Sequence, residues 1–446
     1  MDGRYRVAIV GSGPSGLYAA EALSKTNQID VDVYDRLPFP FGLVRYGVAP
    51  DHESIRSVRN TLASILEIPS VRFFGNVDVG ADISVEELAR AYHAVIWAYG
   101  ASGDRNLGIP GEELPGSVAA TDFVAWYTGH PDANPEIGRI ITSATAVAVI
   151  GVGNVALDVA RILVKSPESL SATDMPAHVL DVLRNSSVVD VHVLGRRSAA
   201  FAAFTTKELR EFGELDGVDV TVSADDVFFG PSSEAHLSEN KVAARNVDVL
   251  REWLDKSRSA PKCVHFHFSS KPVSIHGDTE IDSLRISRMR ETESGEYVEA
   301  DESYDLPVQA VVRSVGYRGQ AVGDLPFDSG RGVLQHVDGR LVADGKPLTG
   351  QYAVGWIKRG PTGIIGTNKK DAVATVASLI EDLNSLPEPE ITVSALHAQL
   401  HGPLVSNAGW RAIDAAEVAL GQQQGRERCT ITDRDELLQL ALSSTT

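Results

Sequence analysis

Two stretches of this chain read as strand, glycine-rich turn, helix, and that pair restricts the fold more than any other feature. The first is Arg6-Val7-Ala8-Ile9-Val10 followed by Gly11-Ser12-Gly13-Pro14-Ser15-Gly16. The second is Ala146-Val147-Ala148-Val149-Ile150 followed by Gly151-Val152-Gly153-Asn154-Val155-Ala156. In such a turn the first glycine permits the tight bend and the second lets the backbone approach a pyrophosphate. The third small residue lets helix and strand pack. The freed N–H groups and the helix dipole then hold the phosphates. After the first unit, the strand Val31-Asp32-Val33-Tyr34 ends in an acid, Asp35. After the second, Val191-His192-Val193-Leu194 ends in Gly195-Arg196-Arg197. An acid at that place accepts from ribose hydroxyls, whereas arginines neutralise a 2′-phosphate. The expectation is an α/β protein with two Rossmann-like dinucleotide-binding domains, one of them for NADP(H).

The rest of the chain fits around these units. Helices are predicted over 15–25, 53–68 and 206–215, and buried strands over 94–100 and 309–317. The segment 36–52, rich in Pro, Gly and aromatics, is predicted not to be helical. Residues 166–188 read as an insertion in the second unit, and the topology of 218–310 stays open. Residues 350–383 return to strand, glycine-rich turn and helix, the helix starting near Lys369. Within them, the glycines of Gly355-Trp356-Ile357-Lys358-Arg359-Gly360-Pro361-Thr362-Gly363 place backbone N–H groups where the electron-rich edge of a flavin would sit. The polar tail 386–446 holds one helix, around 411–420. On pattern alone His52 is a structural loop histidine, and Glu208 and Glu211 belong to a solvated helix face.

Charge and cysteine content exclude several classes. Lys plus Arg is 41 against 60 Asp plus Glu, a net charge of −19, so general nucleic-acid binding is not expected. The two cysteines, Cys263 and Cys429, form no Cys-x-x-Cys pair, which leaves neither a zinc ribbon nor a redox dithiol. No metal site is expected. No run of about 18 apolar residues occurs, so no membrane span is expected. The first motif begins close to Met1 and leaves no room for a targeting peptide, so a cytoplasmic location is expected.

Taken together, these residues resemble the adrenodoxin reductase family, including its bacterial ferredoxin–NADP reductases. The resemblance rests on Val10-Gly11-Ser12-Gly13-Pro14, on Pro40-Phe41-Gly42-Leu43-Val44-Arg45 and on Gly47-Val48-Ala49-Pro50-Asp51-His52. It continues through Phe74-Gly75-Asn76-Val77, Gly153-Asn154-Val155-Ala156-Leu157-Asp158-Val159-Ala160-Arg161, Gly195-Arg196-Arg197 and the Gly355–Gly363 stretch. It implies an FAD domain from 1–105 and 321–446, with 386–446 as a C-terminal extension, and an inserted NADP domain, 106–320. It implies FAD contacts at Pro14, Asp35, Leu43, Val77, Trp356, Gly363, Ile364 and Ile365. It implies NADP contacts at Asn154, Val155, Arg196, Arg197, Glu208 and Gly363, and it places His52 and Glu211 near the flavin in proton handling and electron transfer.

The implied activity is that of an FAD-dependent NADPH:ferredoxin oxidoreductase, passing hydride from NADPH to FAD and single electrons to an iron–sulfur ferredoxin. The ferredoxin would dock on a basic patch, with Arg210, Lys241 and Arg245 as candidates. Three departures stand out. Ser198-Ala199 replaces the family's Gly-Pro and is expected to loosen the arginine loop. Val152 replaces a polar residue and is expected to remove one hydrogen bond to the nucleotide. Asp35 stands where many relatives have Glu. An NADPH-dependent flavin monooxygenase and a non-catalytic NADPH-sensing flavoprotein are the competing readings.

Overall fold

The computed structural model describes residues 4–254, 256–363 and 365–443. The chain divides into two compact units, one of 1–103, 128–131 and 316–446, the other of 104–127 and 132–315. Both are α/β, and the second interrupts the first in sequence.

The first unit is built on a seven-stranded sheet in the order His336–Val337, Arg340–Ala343, Lys346–Ala353, Ala94–Trp97, Tyr5–Val10, Ile29–Asp35, Val71–Gly75. The last five strands are mutually parallel, with Val7 opposite Val31 on one side and Ala94 on the other. Strands covered on both faces need apolar residues throughout, which is why Val7, Ala8 and Ile9 are wholly buried in sequence. The helix Pro14–Ser24 packs on the long helix Ile365–Asp382. That long helix starts four residues before the predicted Lys369. The predicted helix 53–68 is two helices, Glu53–Arg56 and Val58–Ile65, split at Ser57. One turn of helix, Leu43–Tyr46, lies inside the segment predicted to have none. Gly42 and Gly47 bound it, so the Pro/Gly content limits its length rather than preventing it.

The tail is more structured than its composition suggested. It carries the helices Val393–His397, Asn407–Gln423 and Arg434–Ser443. Its chain crosses the edge of the sheet, where Gly75 and Val405 exchange backbone hydrogen bonds of 2.8 and 3.0 Å. Asn407 accepts from the Phe73 N–H at 2.8 Å and donates to the Leu66 carbonyl at 2.6 Å. His397 Nε2 lies 2.7 Å from the Tyr34 hydroxyl, itself 2.7 Å from that of Tyr92.

The second unit has six parallel strands in the order Ser117–Ala119, Ala310–Arg313, Ala146–Ile150, Asp190–Leu194, Lys262–His267, Val218–Val222. The stretch left open by sequence holds an antiparallel meander, Ser270–His276, Ser283–Glu291 and Tyr297–Pro307. Its Ile275, Leu284, Ile286 and Leu306 form one apolar cluster with Ala148, Ile150, Leu194 and Val311 of the sheet. Among the described residues no helix is long and apolar enough to cross a membrane, and both cysteines are buried thiols.

Candidate dinucleotide sites

In each unit the glycine turn lies where the chain order of the strands reverses, the place where open α/β sheets bind ligands. In the first, Gly11 N–H donates to the Tyr34 carbonyl at 2.7 Å, and Ala98 N–H donates to the Val10 carbonyl at 2.8 Å. Gly11 has φ +111°, and a Cβ on it would stand 2.5 Å from the Ala98 carbonyl oxygen. A Cβ on Gly16 would stand 2.0 Å from the Gly11 oxygen. Packing therefore demands both residues. Gly13 is different. Its φ of −69° suits any residue, and the nearest atom to a Cβ there is the Gly42 Cα at 4.0 Å. Among the described residues nothing requires a glycine at 13, and the side left open is large enough to admit a ligand group. The helix that follows has Pro14 at its first turn and no side-chain cap, so its first N–H groups face that space. These features fit a pyrophosphate.

Asp35 is only partly available for ribose. Its Oδ2 accepts from Ser12 N–H at 2.9 Å and the Ser12 hydroxyl at 2.5 Å, and its Oδ1 accepts from Leu37 N–H at 3.0 Å. A carboxylate has room for about four donors, so one position remains. Val77 is buried and its N–H already donates to the Asp35 carbonyl at 2.9 Å. Leu43, Pro14 and Trp356 are half-buried, and Trp356 lies 5.4 Å from the Tyr317 ring. Gly355, with φ +77°, donates to Asp371 at 2.6 Å, and the buried Lys358 ammonium reaches Asp371 at 2.8 Å and Thr375 at 2.9 Å. That network fixes the short helix Trp356–Arg359. Gly363 is exposed with φ +85°, and Ile365 opens the long helix. Ile364 lies outside the described residues. His52 is buried, and its carbonyl starts the helix Glu53–Arg56 by accepting from Ile55 and Arg56 at 3.0 Å.

The second unit repeats the turn. Gly151 N–H donates to the Leu194 carbonyl at 2.9 Å, and Ser314 N–H to the Ile150 carbonyl at 2.8 Å. Gly151 has φ +135°, and its Cβ would stand 2.2 Å from the Ser314 oxygen. Gly153, at φ −110°, has none of the described residues within 4 Å of a Cβ. The helix Asn154–Val164 again has no side-chain cap. Within that helix Ala156 is buried, while Val155 is half-buried. Asn154 accepts from Thr205 N–H at 2.8 Å, which ties the arginine loop to the helix start.

Arg196 and Arg197 are exposed, and the Arg197 guanidinium lies 4.6 Å from the Phe201 ring centre. At the departure from the family's Gly-Pro, the side chain of Ser198 turns inward. Ser198 is buried, with its hydroxyl 2.9 Å from that of Ser233. Val152 is half-buried and packs over Gly195, where a Cβ would come within 2.9 Å of it.

Glu208 and Glu211 are not on a solvated face. Glu208 is buried and Glu211 half-buried, on the helix Thr206–Glu211. The buried Arg161 gathers both, at 3.6 and 3.8 Å, together with Asp158 at 2.8 Å. Sequence pattern missed this because Arg161 sits on a different helix. Sequence reasoning also missed the histidines His192, His265 and His267, which alternate onto one face of neighbouring strands. His192 Nδ1 lies 3.0 Å from His267 Nε2. Burial, reinforced by the neighbouring imidazoles, pushes His192 down to about 3, and burial, reinforced by His265, pushes His267 down to about 4. Both rings are neutral at ordinary pH.

The comparisons with known proteins agree with this geometry. Residues 5–225 match the model of the pyridine nucleotide-disulphide oxidoreductase family. The chain is 44% identical to "NADPH-ferredoxin reductase FprA" of Mycobacterium tuberculosis, over 98% of this chain and 99% of that protein. It is 39% identical to human "NADPH:adrenodoxin oxidoreductase, mitochondrial", over 98% of this chain and 91% of that one. The solved structure of Mycobacterium tuberculosis FprA in complex with NADPH superposes with a TM-score of 0.92 at 42% identity, over 98% of this chain and 100% of that one. With relatives this similar over their whole length, and two dinucleotide folds of which one interrupts the other, this chain belongs to the adrenodoxin reductase family.

Proposed function

We propose that the chain is an NADPH:ferredoxin oxidoreductase with FAD on the Gly11–Gly16 turn and NADPH on the Gly151–Ala156 turn. The observation that carries this is the pair of unforced glycines, Gly13 and Gly153, each opening space beside an uncapped helix start. Asp35 follows the first turn and Arg196-Arg197 the second, which assigns the 2′-phosphate to the second. FAD, when bound, supplies exchange between a two-electron hydride donor and one-electron acceptors. The chain's part is binding and alignment. Gly13, Pro14 and the Leu43 loop hold the flavin dinucleotide, the Trp356–Gly363 segment and the start of the long helix face its ring, and Arg196, Arg197 and Asn154 hold NADPH. His52 and Glu211 carry the proposed proton handling.

The names of the relatives indicate a ferredoxin-type iron–sulfur partner. We place its docking at Arg210, Lys241 and Arg245. All three are exposed, on the helices Thr206–Glu211 and Lys241–Arg251, and those helices are joined by a 2.6 Å hydrogen bond from Thr206 to Asn246. A cationic patch on an acidic chain would steer an acidic partner and make association fall with salt.

The test is anaerobic mixing of purified protein with limiting NADPH or NADH, following flavin bleaching and then cytochrome c reduction with and without a ferredoxin. Faster bleaching by NADPH and ferredoxin-dependent cytochrome reduction are the expected results. Oxygen-dependent product formation from an organic substrate would point to a monooxygenase instead. Tight NADPH binding with negligible turnover would point to a sensor.

A further inference from the structure

The loop that abuts the first turn is held in an uncommon backbone shape by the C-terminal extension. Phe41 has φ +89°, which a bulky L-residue rarely adopts, and Gly42 follows at φ +48°. The loop presses on the turn. Phe41 N–H donates to the Ser12 carbonyl at 3.1 Å, and a Cβ on Gly42 would stand 3.0 Å from the Gly13 Cα. A shift of this loop is therefore a shift of the wall beside the open side of Gly13.

What holds it comes from far along the chain. Trp410 packs edge-on against Phe39 and Phe41, with ring centres 5.7 and 5.5 Å apart. Arg45 lies 3.9 Å over Phe39 and forks onto Glu417, with contacts of 2.8 and 2.5 Å. Glu417 is wholly buried. It also accepts from Arg428 at 3.0 Å and from Ile431 N–H at 2.9 Å, and Arg428 is paired to Asp414 at 2.7 Å. Burial alone would lower the Arg45 pKa, but Glu417 outweighs it and holds the guanidinium charged. A buried pair of this kind is a weak source of net stability, yet removing one member leaves a charge stranded. Its evident effect is to fix position, because a bidentate fork allows one orientation of Arg45.

We propose that Glu417 is a positioning residue for flavin binding. Through Arg45 it sets the Phe41–Leu43 loop against Gly13, and so sets how tightly the first turn holds its dinucleotide. The inference rests on the reading that this turn holds FAD.

The test uses the full chain, stripped of flavin and titrated with FAD, for wild type, Glu417→Gln, Glu417→Asp and Trp410→Leu. The expected result is at least tenfold weaker FAD binding in Glu417→Gln, with far-ultraviolet circular dichroism and NADPH affinity unchanged. Glu417→Asp, which keeps the charge, is expected to recover part of the loss. Folded Glu417→Gln with FAD affinity within twofold of wild type would overturn the role of Glu417. Should Glu417→Gln fail to fold, Trp410→Leu decides: at least fivefold weaker FAD binding supports the proposal, and wild-type affinity overturns it. Wild-type chain that takes up no FAD would overturn the underlying reading of the turn, and this inference with it.

Discussion

The two turns are the same device carrying different instructions. Tyr34 and Leu194 are equivalent, each pairing with the last residue of its own central strand, Val10 or Ile150. Asp35 and Gly195 therefore stand at one position, as do Ser12 and Val152. In the first unit that place holds a hydrogen-bonded pair, serine to aspartate. In the second it holds a packed pair, valine over glycine, with the acid gone and two exposed arginines following. The carbonyls of Ser12 and Val152 nevertheless accept from the next loop in the same way, from Phe41 at 3.1 Å and Ala203 at 2.8 Å. The backbone geometry is common, and the side chains at these two positions differ, a hydrogen-bonded acid in one unit and an apolar contact in the other.

The largest effect should come from breaking what both turns share for packing. Gly11→Ala and Gly151→Ala each put a Cβ on a carbonyl at a positive φ, which should cost at least about 4 kcal/mol. Thermal or urea unfolding of the purified variants checks this, and near-native stability would refute it. Gly13→Ala and Gly153→Ala should leave the ligand-free fold within about 1 kcal/mol of wild type, because the gain at an unstrained φ is offset by the poorer helix cap. Each should sharply weaken its own ligand, FAD or NADPH, in titrations, and leave the other unaffected.

Arg196→Ala and Arg197→Ala should weaken NADPH by roughly 10–100-fold, the worth of one charge-assisted contact of about 1.5–3 kcal/mol, with NADH little changed. Steady-state comparison of the two coenzymes reads this directly. A sharper test rebuilds the first turn in the second. Gly195→Asp alone should fold poorly, because Val152 fills the space, whereas Val152→Ser with Gly195→Asp should fold and lose preference for NADPH by about tenfold, one 1.4 kcal/mol step. Folded Gly195→Asp with unchanged preference would show that the packed pair plays no part.

The smallest effect is in acid stability. His192 and His267 have folded values near 3 and 4, below the ordinary 6.5. A depressed value means that the unfolded chain takes up protons first. The contribution is thus fully present above about pH 6.5 and is lost as pH falls toward 4 and then 3. His192→Asn should flatten that part of the stability–pH curve, measured by urea unfolding between pH 7 and 4.5.

The legible parts of this chain are those whose signals are local. An apolar run entering a glycine turn announces both sheets, and the residues after Tyr34 and Leu194 announce two ligands. What stayed hidden depends on partners far away in sequence. Glu417 reads as one more acid on a polar helix until Arg45, 372 residues earlier, is seen against it. Glu208 and Glu211 read as solvated because Arg161 belongs to another helix. The meander 270–307 escaped because its buried face answers to the sheet beneath it rather than to its own sequence neighbours. The single turn Leu43–Tyr46 escaped because four residues carry no periodicity.

The seam between Gly75 and Val405 also has a consequence in time. Phe73 and its partner Asn407 are 334 residues apart, so a ribosome adding about 5–20 residues per second separates them by roughly 20–70 s. Throughout that interval the outer strand Val71–Gly75 has its backbone unpaired on one side, a ready template for a neighbouring nascent chain. The intervening unit, 104–127 and 132–315, is complete in sequence before the seam closes. Synthesis thus imposes an order in which the second dinucleotide fold is free to mature first, and the first stays adhesive until the chain returns to it.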